Sequence, residues 1–304
     1  MARRRKRGRD ITGILLLDKP MDMTSNKALQ QVKYLYFAQK AGHTGALDPI
    51  ATGVLPICFG EATKFSQFLL NADKKYRVVG KLGQKTTTSD REGEVIEEKP
   101  VDVTEEQLVK VVQQFIGTIS QVPSMYSALK KDGVPLYKLA REGIEVEREA
   151  REVTIHSINL LSFDGDTFEL DVHCSKGTYI RNLVEDIGDE LGCGAHVRDL
   201  CRTAVSHLQL SDCVTMPQLE TMKQADEKRA MDELLIPLEE ALQHIPSLEL
   251  DDDQAYYICL GQSVQISGAP ESEEFILKSP QGFLGIGCLD DDGKVAPRRL
   301  IKQD

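Results

Sequence analysis

Residues 42–55 read GHTGALDPIATGVL and place one carboxylate, Asp48, on a stiff turn ahead of an apolar run. Gly42, Gly45 and Gly53 permit positive φ or the close approach of another chain, and Pro49 fixes φ immediately after the acid. Thr44 and Thr52 add hydroxyls, and Val54 to Phe59 is long enough for a buried strand or a short core helix. A loop seated on a core element is a usual place for chemistry. Taken alone, these features favour a plainer reading, a D-P turn capped by Asp48. The rest of the chain decides between the two.

The 304 residues suffice for a large core and more than one domain, and a hydrophobic content of 41% suits a globular protein. No apolar run approaches the roughly 20 residues that cross a bilayer. The first ten residues carry six Lys or Arg, but only Ile14 to Leu17 follows as an apolar run before Asp18 and Lys19. That is too short for a signal peptide, so a cytoplasmic protein is expected. Seven cysteines (58, 174, 193, 201, 213, 259, 288) are scattered without a CxxC pair, which argues against zinc and against a disulfide framework. The net charge of −11 belongs to the C-terminal third: residues 211–304 carry all of it, leaving residues 1–210 neutral. Within that neutral part, residues 1–10 carry +5, and Lys74, Lys75, Arg77, Lys81 and Lys85 form a second basic cluster. Such clusters allow phosphate contact, although a solvated charged face is the commoner explanation of them.

Residues 1–10 read as a disordered basic arm, for RNA or for solubility. Ile11–Leu17 alternates as a short strand, and DKPMDMTSN turns into a helix over Asn26–Ala38 capped by Thr24 or Ser25. Glu61–Asn71 is helical, Tyr76–Leu82 an alternating strand, and Thr104–Gly117 a helix with Thr104 and Gln107 spaced as a capping box. Val153–Ser162 and Thr167–Cys174 form a meander turned at Asp164-Gly165-Asp166, leading into CSKGTYIRNLVEDIGDELGCGAH at 174–196. Residues 211–248 form an acidic helical connector, and from about Leu250 to Ile301 short strands (GQSVQI, EFILKS, GFLGIGCLDDDGKVAPRRLI) alternate with Gly, Pro and Asp.

The 42–55 stretch closely resembles the second motif of the TruB family of pseudouridine synthases, and G-T-Y-I-R at 177–181 resembles a further motif of that family. The resemblance implies a mixed-sheet α/β catalytic domain over 11–248, with an RNA-clamping insertion at about 123–151. It also implies a small β-barrel-like PUA domain over 249–304. By resemblance Asp48 is the catalytic nucleophile, Arg181 its cationic partner and Tyr76 the active-site tyrosine. Tyr179 and Leu200 lie against the base, Asp90 hydrogen-bonds near it, and His43 occupies space the flipped base vacates. Lys19 either supports the active-site loop or faces phosphate as a substrate-binding residue, and Lys64 contacts the backbone or the site. On local features alone His43 is a turn histidine, Lys64 an exposed helical lysine, Asp90 a loop acid and Arg181 a solvent-facing helical residue. Two positions depart from the family pattern: Asp22 stands where K-P-x-G-x-T-S has glycine, and Cys201 replaces the first of two consecutive arginines. Aspartate tolerates the left-handed conformation better than most residues, so that turn is expected to survive.

The implied reaction is isomerisation of the T-loop uridine at tRNA position 55. Breaking N1–C1′ and joining C5 to C1′ changes neither atom count nor oxidation state, so no cofactor and no metal are expected. The chain has no GxGxxG, P-loop or HExxH, and His43, His156, His173, His196, His207 and His244 lack ligand spacing. An ionised Asp48 in a water-poor pocket has three routes, attack at C1′, addition at C6 or elimination through C2′, and the sequence leaves all three open. A cation beside it keeps it ionised, and replacing Arg181 by methionine is expected to cost catalysis more than stability. The expected partner is tRNA, bound by a monomer, with folding-chaperone activity as an accompaniment or rival. The other rivals are a glycosidase using Asp48 with Asp90 as second carboxylate, and a guide-RNA-dependent relative.

Overall fold

The computed structural model describes residues 7–127 and 129–302, so the basic arm up to Lys6 lies outside the described residues. Its final residues are tied down: the Arg9 amide donates to the Phe37 carbonyl, and the Arg9 guanidinium pairs with Asp232.

Most of the chain is organised on one ten-stranded mixed sheet. Its main path runs Val214–Thr215, Gly13–Lys19, Ala51–Phe59, Ala195–Val205, Lys74–Leu82, Thr167–Cys174, Arg151–Asp164, Gly117–Gln121. Neighbours are antiparallel except at two contacts, Gly13–Lys19 with Val214–Thr215 and Ala51–Phe59 with Ala195–Val205. The Ala51–Phe59 run is the strand expected after Asp48, and all but Thr52 of its residues are buried. Gly13–Lys19 is apolar on both faces because each face has its own core. Leu15 and Leu17 pack into the main cluster, with Val78, Leu170 and Leu183. Ile14 and Leu16 pack into a second, with Ile276 and Ile286 of the C-terminal unit. One strand thus fastens the large sheet to the C-terminal unit.

Helices form where the caps and apolar spacing predict. The Thr24 hydroxyl accepts from the Lys27 amide at 3.1 Å to start Ser25–Leu35. Thr104 and Gln107 complete a capping box at the start of Glu105–Gln114. Ile180–Glu190 buries Ile180, Leu183, Val184 and Ile187, spaced to lie on one helical face against the sheet. The helical 61–71 segment divides into a 3₁₀ turn, Gly60–Lys64, and a helix, Ser66–Asn71.

The C-terminal unit departs from the barrel-like expectation. It is an open four-stranded sheet in the order Ser247–Glu249, Phe275–Ser279, Gly282–Leu289, Val295–Leu300, whose edge strands do not pair with each other. GQSVQI forms a single bridge, Val264 to Val295, instead of a strand. Its upstream side is a helix, Asp252–Cys259, whose N-cap Asp251 closes a capping box with Gln254. No described helix is long and apolar enough to cross a membrane.

Candidate active site

The Asp48 turn is held from three directions. Ser25, at the start of its helix, donates to the Leu47 carbonyl at 3.0 Å and accepts from the Leu47 amide at 2.7 Å. From below, the fully buried Lys19 donates to the carbonyls of Pro20, Met23 and Pro49. Burial lowers the Lys19 ammonium to about 8, against the opposing pull of Asp48 and its other acidic neighbours. Asp22 lies in the left-handed region at φ 59, and its amide donates to the Pro49 carbonyl at 2.9 Å. The turn expected to carry glycine therefore forms with aspartate, and it grips the Asp48 loop directly.

The third hold is Arg202, only 2% exposed, whose Nε donates to the Val54 carbonyl at 2.7 Å and Nη2 to the Gly45 carbonyl at 3.0 Å. Gly53 makes this approach feasible. It has φ 100, and a Cβ there would stand 2.2 Å from the Arg202 carbonyl oxygen. Gly45 also has positive φ, at 73, whereas Gly42 lies within the short strand Ala41–His43 and does not.

Arg181, in the first turn of Ile180–Glu190, is buried and joins four groups. Its Nη2 is 3.0 Å from Asp48 Oδ2 and donates to the Tyr126 carbonyl at 2.9 Å. Its Nη1 donates to Asp90 Oδ2 and to the Thr88 carbonyl, both at 3.1 Å. One guanidinium therefore serves two carboxylates of different character. Asp90 is 2% exposed, and its other oxygen accepts from the Thr88 hydroxyl at 2.6 Å and the Glu92 amide at 3.0 Å. The Asp48 side chain is 39% exposed on the cleft side. Burial of its carboxyl pushes it above the ordinary carboxylate range; Arg181 and then Lys19 pull it down, while Asp90 adds to the rise.

Asp48 sits at the floor of an open cleft of about 290 Å³, with Tyr76, Tyr179, Leu200 and Arg181 among its walls. Strand geometry brings these together. Tyr76 stands opposite Arg202, Leu200 opposite both Val78 and Ala51, and Tyr179 is the residue from which the Arg181 helix departs. The Tyr179 backbone is fixed by Gln121, whose side chain accepts from its amide at 3.0 Å and donates to its carbonyl at 3.3 Å. Burial raises the Tyr76 hydroxyl, and Arg202 beside it opposes the rise.

Four expected residues lie outside the cleft lining: Lys19, already placed beneath the Asp48 turn, and three more. Asp90 stands behind Arg181 and is not among the residues lining the cleft, so it orients the arginine. Lys64 pairs with Glu61, whose carboxylate also accepts from the Lys302 amide, and it faces the C-terminal unit. His43, partly buried, does not line the cleft; its Nδ1 is buried without a partner, and burial lowers its pKa.

Two cleft cations were not among the expected site residues, although Lys74 belongs to the second basic cluster. Arg202 and Lys74 both line the cleft; Lys74 donates to the carbonyls of Leu69, Leu70 and Ala72, and burial lowers it to about 8. The signal was the strand period of two, which puts Lys74 on the face of Tyr76 and Arg202 on the face of Leu200.

Comparison with known proteins agrees along the whole chain. Residues 33–180 match the family described as TruB family pseudouridylate synthase (N terminal domain). Residues 181–243 match the tRNA pseudouridylate synthase B C-terminal domain, and residues 246–301 match Pseudouridine synthase II TruB, C-terminal. The chain is 55% identical to the tRNA pseudouridine synthase B of Stutzerimonas stutzeri (strain A1501), covering 100% of both. It is 54% identical to that of Vibrio parahaemolyticus serotype O3:K6, covering 99% of this chain and 98% of the relative. In fold it is similar to a chain of the crystal structure of a Cbf5-Nop10-Gar1 complex, with a TM-score of 0.74 at 24% identity, covering 95% of this chain and 84% of that one. The chain belongs to the TruB family of pseudouridylate synthases.

Proposed function

We propose that this enzyme converts the uridine at position 55 of the tRNA T-loop to pseudouridine, with Asp48 as nucleophile on a flipped-out base. The observation that carries the reading is the Asp48 carboxylate, 3.0 Å from the buried Arg181 guanidinium, at the floor of a cleft walled by Tyr76, Tyr179 and Leu200. The substrate class is taken from relatives at 54–55% identity over nearly their full length, which are tRNA pseudouridine synthases.

The chemistry asks little else of the protein. The N1–C1′ bond breaks, C5–C1′ forms, the C5 proton leaves and N1 gains one, with no net change in composition. Asp48 supplies the electron pair that starts the exchange. Tyr76, Tyr179 and Leu200 hold the base while it turns, and Tyr76 or Asp48 takes the C5 proton. Only an unstacked base reaches Asp48, so uridine is extruded from the T-loop at a cost of a few kcal/mol.

The position of Asp90 favours isomerisation over hydrolysis. Hydrolysis by the two-carboxylate route would need a second carboxyl facing the bond, and both oxygens of Asp90 are taken by Arg181, Thr88 and the Glu92 amide. The 123–151 insertion, linked to the site through the Tyr126 carbonyl, is proposed to close over the T-loop. The proposal includes a PUA-like RNA-contacting role for the C-terminal unit, tRNA-folding activity alongside catalysis, and a cytoplasmic monomer.

The test is tritium release from unmodified tRNA transcript labelled at uridine C5. Stoichiometric release with one tritium per tRNA, lost when the T-loop uridine 55 is replaced by cytidine, is the expected result. Release from several uridines, or free uracil as product, would overturn the assignment.

A further inference from the structure

Far in sequence but together in space, Asp73, His156 and His173 form a cluster outside the catalytic cleft. The Nε2 of His156 lies 3.1 Å and that of His173 3.9 Å from Asp73 Oδ2. The imidazole centroids are 4.7 Å apart, and one donor atom from each of the three residues falls within 4.8 Å of the others. All three side chains remain between about a third and a half exposed, so an ion has access.

Strand alternation builds the histidine pair. The Arg151–Asp164 and Thr167–Cys174 strands pair Ile155 with Cys174 and then Ser157 with His173, leaving His156 as the extra residue of a β-bulge. Alternation after the buried Ile155 turns His156 to the exposed face that carries His173. The bulge then sets His156 and Ser157 both opposite His173 and returns Ile158 to the buried side. Bulges re-aim side chains in this way and recur beside functional sites. Asp73 enters from the segment before Lys74–Leu82, and its carbonyl is held by the Ser206 amide at 2.8 Å.

We infer that Asp73, His156 and His173 bind a divalent first-row transition ion, with zinc as the natural probe. Two neutral imidazoles and a carboxylate suit such ions, and metal bonds of about 2.1 Å in tetrahedral geometry separate ligand atoms by about 3.4 Å. The two imidazole nitrogens, 3.1 and 3.9 Å from the Asp73 carboxylate, bracket that spacing. A fourth position is left open to solvent. The neutral imidazole is the form that ligates. The ion would clamp three segments at the sheet end from which Lys74 and Tyr76 enter the cleft.

The test uses the full chain, stripped with chelator and titrated with Zn²⁺ against a chromophoric competitor, and with Co²⁺ in parallel. The expected result is one Zn²⁺ per chain, weakened by more than about tenfold in each of Asp73→Asn, His156→Ala and His173→Ala. Metal-free melting of the three variants should match the parent, and binding should survive in Cys259→Ser. Bound Co²⁺ should show tetrahedral d–d bands without a thiolate charge-transfer band. Absent binding, binding indifferent to both histidine replacements, or binding lost with Cys259 would overturn the site.

Discussion

Replacing Arg181 by methionine tests the network that holds Asp48. The guanidinium serves Asp48, Asp90 and two backbone carbonyls, and Asp90 is 2% exposed. Removing one partner of a buried ion pair leaves an uncompensated charge and costs about 3–5 kcal/mol. For a chain of 304 residues that lowers Tm by about 5–8 °C. Asp48 also loses the strongest influence pulling its carboxyl down, so its pKa rises. With ionised Asp48 as the proposed nucleophile, the acid limb of the pH–rate profile should move to higher pH. The chemical step should slow by about a hundredfold, equivalent to roughly 2.7 kcal/mol. Adding Asp90→Asn separates the two roles, because it removes the stranded charge and leaves Asp48 without its cation. Arg181→Met/Asp90→Asn should regain about 2 kcal/mol of stability in urea unfolding and none of the rate. If rate and stability recover together in the double variant, Arg181 is only a structural clamp and the electrostatic account of Asp48 fails.

Asp22→Gly should keep full activity and gain at most about 1 kcal/mol, because glycine adopts φ 59 without strain, whereas Asp22→Val should lose both stability and rate; loss of activity in Asp22→Gly would reveal a role for the carboxylate. Gly53→Ala should yield insoluble or unfolded protein, since its Cβ would meet the Arg202 carbonyl at 2.2 Å, while Gly165→Ala, which meets nothing within 4 Å, should cost only about 1 kcal/mol; equal melting of the two would contradict the close strand approach. Burial, with Glu185 and Asp189 adding to it, raises Asp186 from 3.8 to about 6. Its folded pKa exceeds the unfolded value, so ionisation penalises the folded state: the penalty is absent below about pH 4 and complete above about pH 6. Asp186→Asn should therefore stabilise by about 1 kcal/mol at pH 7.5, allowing for partial exposure, and by nothing near pH 4, as followed by urea unfolding.

Local signals carried much of the architecture. The capping boxes, the meander turned at Asp164–Asp166 and the strand after Asp48 are short-range features, and periodicity plus turn chemistry specify them. The Asp48–Arg181 pair was legible through two motifs 133 residues apart that a resemblance tied together. What sequence missed depends on register. Asp90 reads as a loop acid near the base until the Arg181 helix is placed, when it becomes the buried counterion that orients the arginine. That geometry also revises the expected consequence of removing Arg181, which now includes a substantial stability cost. Arg202 and Lys74 became cleft residues only when pairing fixed their faces, and the histidines without ligand spacing meet across a bulge. The open C-terminal sheet differs from the expected barrel because short Gly- and Pro-punctuated runs specify strands but not closure. GQSVQI shows this, stopping at one bridge.

The most direct test of Asp48 as nucleophile is single-turnover tritium release from C5-labelled tRNA by the Asp48→Asn variant, with tRNA affinity measured in parallel. The account predicts no release above background and affinity within about tenfold of the parent, because asparagine preserves the shape of the cleft floor while removing the charge that attacks. Release at a rate comparable to the parent, or affinity lost in proportion to rate, would contradict it and leave Asp48 as a binding residue.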